Sequence, residues 1–214
     1  MSLLKIGTSI LSLLPDRLIR FIGKKLSDYL VKKYASLDIH GLDVIKGRIG
    51  KPTIFIANHL SNADGVILNK LLKENTIAFL AGVKLDKSSL TSFFLKTVNY
   101  IPIHPNKADR NAIKTALKWL KDGNSIVIFP EGTRSRTGAM IQAKKGFVLL
   151  AKLANVPIVP IALEGTEKLL PISDNNMSNE VLQKATIKIT IGKEFSLPSK
   201  EKYNEPGTWE DTST

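Results

Sequence analysis

The chain of 214 residues contains no cysteine. That excludes disulfides, thiolate metal sites and a cysteine nucleophile, and it fits a reducing compartment. Aromatic residues make up only 7%. With so few, aromatic and basic side chains do not interleave as they do on a nucleic-acid reading surface. No apolar run reaches the ~20 residues that a membrane-crossing helix needs. No serine stands in a Gly-x-Ser-x-Gly context, so the nucleophile elbow of a serine hydrolase is missing. Acidic residues are outnumbered, 19 against 31 Lys and Arg, for a formal net charge of +12. That excess favours an anionic partner: nucleic acid, a phospholipid surface or a phosphorylated substrate.

What is present suffices for one globular domain with an appendage. The apolar stretch from Leu3 to Leu14, with Lys5 near its start, has the look of a signal peptide. No small-residue cleavage pattern follows it, only Pro15-Asp16-Arg17. Its polar members, Lys5, Thr8, Ser9 and Ser12, fall on one helical stripe. A second helix starts near Asp16, with Leu18, Ile22, Leu26, Tyr29 and Leu30 on one face and Arg17, Arg20 and Lys24 on the other. Residues 3–34 therefore read as an amphipathic helical hairpin whose apolar side docks on a membrane. It carries seven basic residues up to Lys33 and two acidic ones, Asp16 and Asp28. Apolar burial and attraction to anionic lipid act together in such interfacial helices. The plainer reading is a hairpin packed on the core with solvated charges.

From about residue 37 the pattern is α/β. Thr53–Ala57, Thr76–Ala81, Ile101–His104, Ser125–Phe129 and Pro157–Leu163 are short apolar runs of the kind buried strands show. Ala185–Ile191 alternates, so one of its faces meets solvent. Helical patterns lie over Gly65–Leu72, 108–121 and 139–154. The expected fold is a mixed, mostly parallel sheet flanked by helices. The boundaries are 1–36 for the hairpin, 37–197 for the α/β domain and 198–214 for a fraying tail.

Two strings carry the chemistry. Asn58-His59-Leu60-Ser61-Asn62-Ala63-Asp64 follows a buried strand, and ligands bind at the carboxyl ends of strands in open α/β sheets. In a turn leading into a helix, Asp64 comes within reach of His59. A carboxylate on one imidazole nitrogen fixes the tautomer and steadies the cation formed when the other nitrogen takes a proton. The bland alternative is a helix-capping Asp64 beside a surface histidine. Ser61 lies mid-motif rather than on an elbow, so the dyad is read as deprotonating a substrate hydroxyl. The second string, Phe129-Pro130-Glu131-Gly132-Thr133-Arg134, also follows a strand. Gly132 permits close backbone approach, Thr133 offers a hydroxyl and Arg134 a planar fork suited to phosphate. Arg136, Lys144 and Lys145 extend the positive field. His104 with His59 and Asp64 makes a poor metal set, having no close ligand pair. Gly50-Lys51-Pro52-Thr53 lacks the glycine spacing of a phosphate loop.

These strings resemble the 1-acylglycerol-3-phosphate acyltransferase family. Its His-x4-Asp block is matched by His59 to Asp64. Its Phe-Pro-Glu-Gly-Thr-Arg block is matched letter for letter at 129–134, and its Val-Pro-Ile-Val-Pro segment at 156–160. Lys144-Lys145-Gly146 fits the stretch between them, and the likeness spans about residues 38–195. The resemblance implies that His59 is general base toward a glycerol hydroxyl and that Asp64 orients it. It implies that Glu131, Gly132, Thr133, Arg134 and Lys145 bind the lysophospholipid acceptor, with Arg134 on its phosphate. The donor is acyl-CoA or acyl-carrier protein, as cosubstrate with no other cofactor and no metal. The implied site of action is the cytoplasmic face of a membrane, bound peripherally, with no nucleic-acid partner. One stretch departs from the family: Asn99 stands where a glycine is usual and Pro105 where an arginine is usual. Pro105 donates nothing and carries no charge, which leaves another lysophospholipid or amphiphilic acceptor open. The contrasting class is a non-catalytic anionic-lipid-binding module, and the nearest catalytic one is a thioester hydrolase using the same dyad on water.

Overall fold

The structure is a computed structural model. It describes residues 15–82, 95, 97–104, 109–144, 146–172 and 180–197. The expected first helix at 3–14, Pro105, Lys145 and the tail from 198 lie outside the described residues. The elements run α1 (Asp16–Tyr34), β1 (Ala35–His40), α2 (Leu42–Lys46), β2 (Ile54–Ala57), α3 (Ala63–Leu71), β3 (Ile77–Gly82) and β4 (Asn99–Ile103). They continue with α4 (Arg110–Lys121), β5 (Ser125–Ile128), α5 (Gly146–Ala154), β6 (Ile158–Glu164), α6 (Thr166–Leu169) and β7 (Ala185–Ile191).

Seven strands form one sheet in the order β1-β7-β6-β2-β5-β3-β4. The five from β6 to β4 are parallel, β7 runs antiparallel to β6, and β1 lies parallel to β7. The central strands are the continuous apolar runs. Ile54 and Phe55 on β2, and Ile126 and Val127 on β5, are inaccessible to solvent. Successive strand residues point to opposite faces, so each strand feeds two cores. Phe55 and Val127 pack with Ile67 and Leu68 of α3 on one face; Ile54 and Ile126 pack with Ala116 and Leu120 of α4 and Leu150 of α5 on the other. β7 keeps the alternation its sequence shows, with Ile187, Ile189 and Ile191 buried between exposed neighbours. Pro102 is accommodated in β4 because that strand is an edge and pairs only with β3.

Helix α1 leads straight into β1. It buries Ile19 and Val31 against the domain while Leu18, Phe21, Leu26 and Tyr29 stay exposed. Lys70 of α3 holds it through Asp28 at 2.7 Å. Among the described residues no helix is long and apolar enough to cross a membrane.

The pattern at 139–154 predicts a helix, yet α5 begins only at Gly146. Residues 139–144 are drawn into the neighbouring loop instead: the N–H of Ile141 donates to Glu131 and the N–H of Lys144 to the carbonyl of Pro130. Those tertiary bonds displace the helical ladder there.

Helix α4 is capped by Asp109, whose Oδ1 accepts from the N–H of Ala112 at 3.0 Å. Its Oδ2 accepts from both the backbone and the ring Nδ1 of His104, at 3.0 and 2.7 Å. The Ala112 N–H first, then the bonds from His104, hold the Asp109 carboxyl well below the usual carboxylate range. A carboxyl depressed on folding adds stability above its unfolded pKa and loses it as pH falls through the folded value. Asp109→Asn is therefore expected to melt earlier than the parent at pH 7. In thermal melts the gap should close as the buffer is taken below the ordinary carboxylate range.

Candidate active site

Adjacent strands β2 and β5 leave the sheet in opposite directions. From β2 the chain passes through α3 on one face to β3; from β5 it passes through α5 on the other face to β6, across β2. Where two such connections diverge, a crevice opens at the carboxyl ends of the strands. Ile56 pairs with Ile128 at this edge. The His59 string and the Glu131 string are the next residues of those two strands, and so they emerge side by side.

Asn58 prolongs β2 with its side chain. Its amide donates to the carbonyl of Leu163 and accepts from the N–H of the same residue, at 2.9 and 2.8 Å. The chain then turns through 60–62 into α3. Asp64, in the first helical turn, has no solvent exposure. Its Oδ2 accepts from Leu60 N–H at 2.7 Å and Ser61 N–H at 2.9 Å, and lies 2.8 Å from Nδ1 of His59. The helix N-terminus further favours a negative charge there. A carboxylate facing Nδ1 assigns the proton to that nitrogen and leaves Nε2 as the acceptor. Phe129 stacks on the imidazole at 4.1 Å between ring centres and 16° between planes. The ring is thus held on one edge by a carboxylate and on one face by an arene, and 21% of the side chain reaches solvent.

The second string grips the first. Glu131 is buried, its Oε1 accepting from the N–H of His59 and its Oε2 from the N–H of Ile141, both at 3.0 Å. The carbonyl of His59 accepts from Ser135 N–H at 2.7 Å. Both oxygens of Glu131 thus hold backbone, and the acidic residue of the string clamps the two loops together. Arg134 is mostly covered and donates to Oε1 of Glu180 at 2.8 Å; Oε2 of Glu180 accepts from Asn62 at 2.7 Å. Glu180 therefore ties the guanidinium to the loop that carries His59. Thr133 sits exposed at the rim. Lys145 lies outside the described residues. Ser61 is buried, with its hydroxyl donating to the carbonyl of Leu170 and accepting from Ala63 N–H. His104 pairs with Asp109 and stands apart from the dyad.

Gly132 has φ of +68°, and a Cβ there would come within 3.0 Å of the Lys144 side chain. A left-handed alanine costs about 1–2 kcal/mol, although the Lys144 end can swing aside. Gly132→Ala is expected to lower the melting temperature by about 4 °C. By tilting the Arg134 loop it should also raise the KM of a phosphate-bearing acceptor more than it lowers kcat.

An imidazole polarised by a buried carboxylate, next to an oriented guanidinium, can take a proton from a hydroxyl while an anion is held alongside. Residues 36–164, more than half of the chain, match the family described as Acyltransferase. The chain belongs to the Acyltransferase family. The chloroplastic 1-acyl-sn-glycerol-3-phosphate acyltransferase BAT2 of Brassica napus is 27% identical over 161 residues, covering 74% of this chain and 46% of the relative. The chain thus spans less than half of that protein. The 1-acyl-sn-glycerol-3-phosphate acyltransferase of Bacillus subtilis is 28% identical over 155 residues, which is 70% of this chain and 72% of the relative. Among solved structures, the 1-acyl-sn-glycerophosphate acyltransferase PlsC of Thermotoga maritima superposes with a TM-score of 0.64. It is 25% identical, over 88% of this chain and 73% of that one. The mostly parallel sheet flanked by helices is shared with that structure.

Glu180 has no counterpart in the expectations from sequence. It follows an unremarkable polar stretch, Ser173 to Asn179, and no spacing rule connects it to a string 46 residues earlier. The nearest signal is that it is an acidic residue in a chain that has few.

Proposed function

We propose that this chain transfers a fatty acyl group from a thioester donor, acyl-CoA or acyl-carrier protein, to the free glycerol hydroxyl of lysophosphatidic acid, forming phosphatidic acid. The observation that carries the reading is the 2.8 Å contact between Asp64 and His59, with the Arg134 loop bonded to the same histidine's backbone. The acceptor hydroxyl gives its proton to Nε2 of His59 as its oxygen adds to the thioester carbonyl. Asp64 steadies the imidazolium. The tetrahedral adduct then expels the thiolate, which recovers the proton from the ring. Arg134, oriented by Glu180, takes the acceptor phosphate, and Thr133 and Lys145 are the further residues assigned to acceptor binding. The names of the relatives point to the same acceptor.

The reaction is proposed to take place on a membrane surface, reached through α1. Phe21 and Tyr29 stand 60% and 57% exposed on that helix. Lys25 lies over Phe21 at 5.8 Å and Lys33 over Tyr29 at 5.6 Å, so arenes and cations alternate at i, i+4 spacing. Arenes with lysines on one helix face suit the headgroup layer.

A donor-by-acceptor matrix with purified protein in lipid vesicles, read by mass spectrometry, tests the proposal. The expected product is phosphatidic acid, with thiol release that depends on added lysophosphatidic acid. Thiol release without an acceptor would replace this reading with a hydrolase. Acylation of a different lysophospholipid in preference would overturn the acceptor assignment.

A further inference from the structure

At the edge of the sheet that carries His59, a concavity of about 380 Å³ lies where α1 runs into β1 beside the start of β7. Its lining includes the ammonium-bearing side chains of Lys32, Lys33 and Lys184 and the hydroxyl side chains of Ser36 and Thr186. Among the described residues that line it, none is acidic. The three lysines come from two distant segments that only the parallel pairing of Ala35 with Ala185 and Ser36 with Thr186 brings together. Lys33 is further fixed by the rings of Tyr29 and Tyr34, at 5.6 and 5.2 Å. Hydrogen bonding to Tyr29, then to Tyr34, holds the pKa of Lys33 above the ordinary lysine value.

The groove also stands at a defined reach from the dyad. β1 is three strands from β2, about 14 Å across the sheet, and the register sets Ser36 and Thr186 about three residues beyond the level of His59, roughly 10 Å along the strands, so the groove stands about 17 Å from the dyad. Chain connectivity ties the groove to the Arg134 loop. Glu180, bonded to Arg134 and Asn62, is four residues from Lys184, which limits their separation to about 14 Å. The intervening segment is anchored, since Gln183 N–H donates to the carbonyl of Leu169 at 2.8 Å. A coenzyme A thioester has its reacting carbonyl at one end and its nucleotide phosphates at the other. The pantetheine arm between them reaches on the order of 15 Å when extended, and each lysine side chain brings its ammonium about 6 Å closer.

We infer that the Lys32–Lys33–Lys184 groove is a phosphate subsite that holds the nucleotide end of a coenzyme A thioester while its acyl carbonyl lies at His59. The inference rests on the thioester-transfer reading above and adds to it the donor class and the residues that recognise it. Lysines act there as point charges on a flexible polyphosphate, so binding weakens with salt. The same phosphate chemistry is offered by an anionic lipid headgroup, and the experiment separates the two sources.

The test compares the full chain with the Lys32→Glu/Lys184→Glu variant in three assays. Acyl transfer is measured from acyl-CoA and from the phosphate-free acyl-pantetheine, binding of adenosine 3′,5′-bisphosphate is measured by calorimetry, and sedimentation with vesicles containing phosphatidylglycerol is measured directly. The expected result is an acyl-CoA KM raised about tenfold or more, loss of bisphosphate binding, and unchanged KM for acyl-pantetheine. Equal loss with both donors together with weaker sedimentation would overturn the inference and give the groove to lipid. Unchanged acyl-CoA kinetics, or use of acyl-carrier protein alone as donor, would also overturn it. Absence of acyl transfer from every donor in the parent chain would instead defeat the proposed function, and bisphosphate binding reads the groove independently of that outcome.

Discussion

His59→Ala is expected to lower acyl transfer by at least 10²–10⁴-fold while the chain remains folded. The size follows from the role: without Nε2, no positioned group takes the hydroxyl proton as the carbon–oxygen bond forms. The preserved fold follows from the bonding. What locks the 58–62 turn to the neighbouring loop is the backbone of residue 59, through its N–H to Glu131 and its carbonyl from Ser135 N–H. Alanine keeps both. The remaining partners of Asp64, the N–H groups of Leu60 and Ser61, also persist. Circular dichroism and vesicle binding should therefore stay close to the parent, with a modestly lower melting temperature from the lost ring bond to Asp64 and the lost stack on Phe129, while turnover is lost. Asp64→Asn is a less clean probe, because an amide presents a donor where Oδ2 collects three bonds. Turnover at the parent rate in His59→Ala would remove general-base catalysis from the mechanism.

The sequence made the two strings visible because their determinants are local. A continuous apolar run predicts a buried strand, and a strand end followed by turn residues and a helix predicts a place where His59 and Asp64 can meet. Asp64 reaches Nδ1 for the reason turn chemistry supplies: the chain folds back over 60–62 and the carboxylate collects the N–H groups it exposes. The alternation of β7 was legible in the same way.

What stayed hidden is set by long-range pairing. Nothing in Glu131 announces that both its oxygens hold backbone N–H groups, one of them 72 residues away. A glutamate next to an arginine reads equally well as a second substrate contact. The helical pattern over 139–154 rests on Phe147, Leu150, Ala151 and Ala154, and nothing local stops it before 146; only the proximity of Glu131 and Pro130 gives 139–144 other bonds. β1 and β7 run against the other five strands. That is a property of topology and not of any strand's composition. Lys32, Lys33 and Lys184 look like solvated surface charge until the β1–β7 register brings them into one groove.

Glu180→Ala carries the second large effect. Glu180 is almost completely covered and Arg134 is 14% exposed, so removing the carboxylate strands a mostly desolvated guanidinium. Breaking one side of such a pair costs about 3 kcal/mol, and the loss of the Asn62 contact loosens the turn behind His59. A lower melting temperature is the first expected readout. The second is functional: Arg134, no longer oriented, should raise the KM for a phosphate-bearing acceptor at least tenfold, while the KM for the thioester donor changes little. Glu180→Gln, which keeps an acceptor oxygen, should recover part of the acceptor affinity. The double variant Arg134→Met/Glu180→Ala separates the two contributions. It should regain stability relative to Glu180→Ala, since no stranded charge remains, yet bind acceptor no better. Neighbours sharing one network couple in this non-additive way. If acceptor KM in Glu180→Ala matched the parent, the Arg134–Glu180 pair would be a structural tie alone, and the acceptor phosphate would have to be held by other cations of the chain.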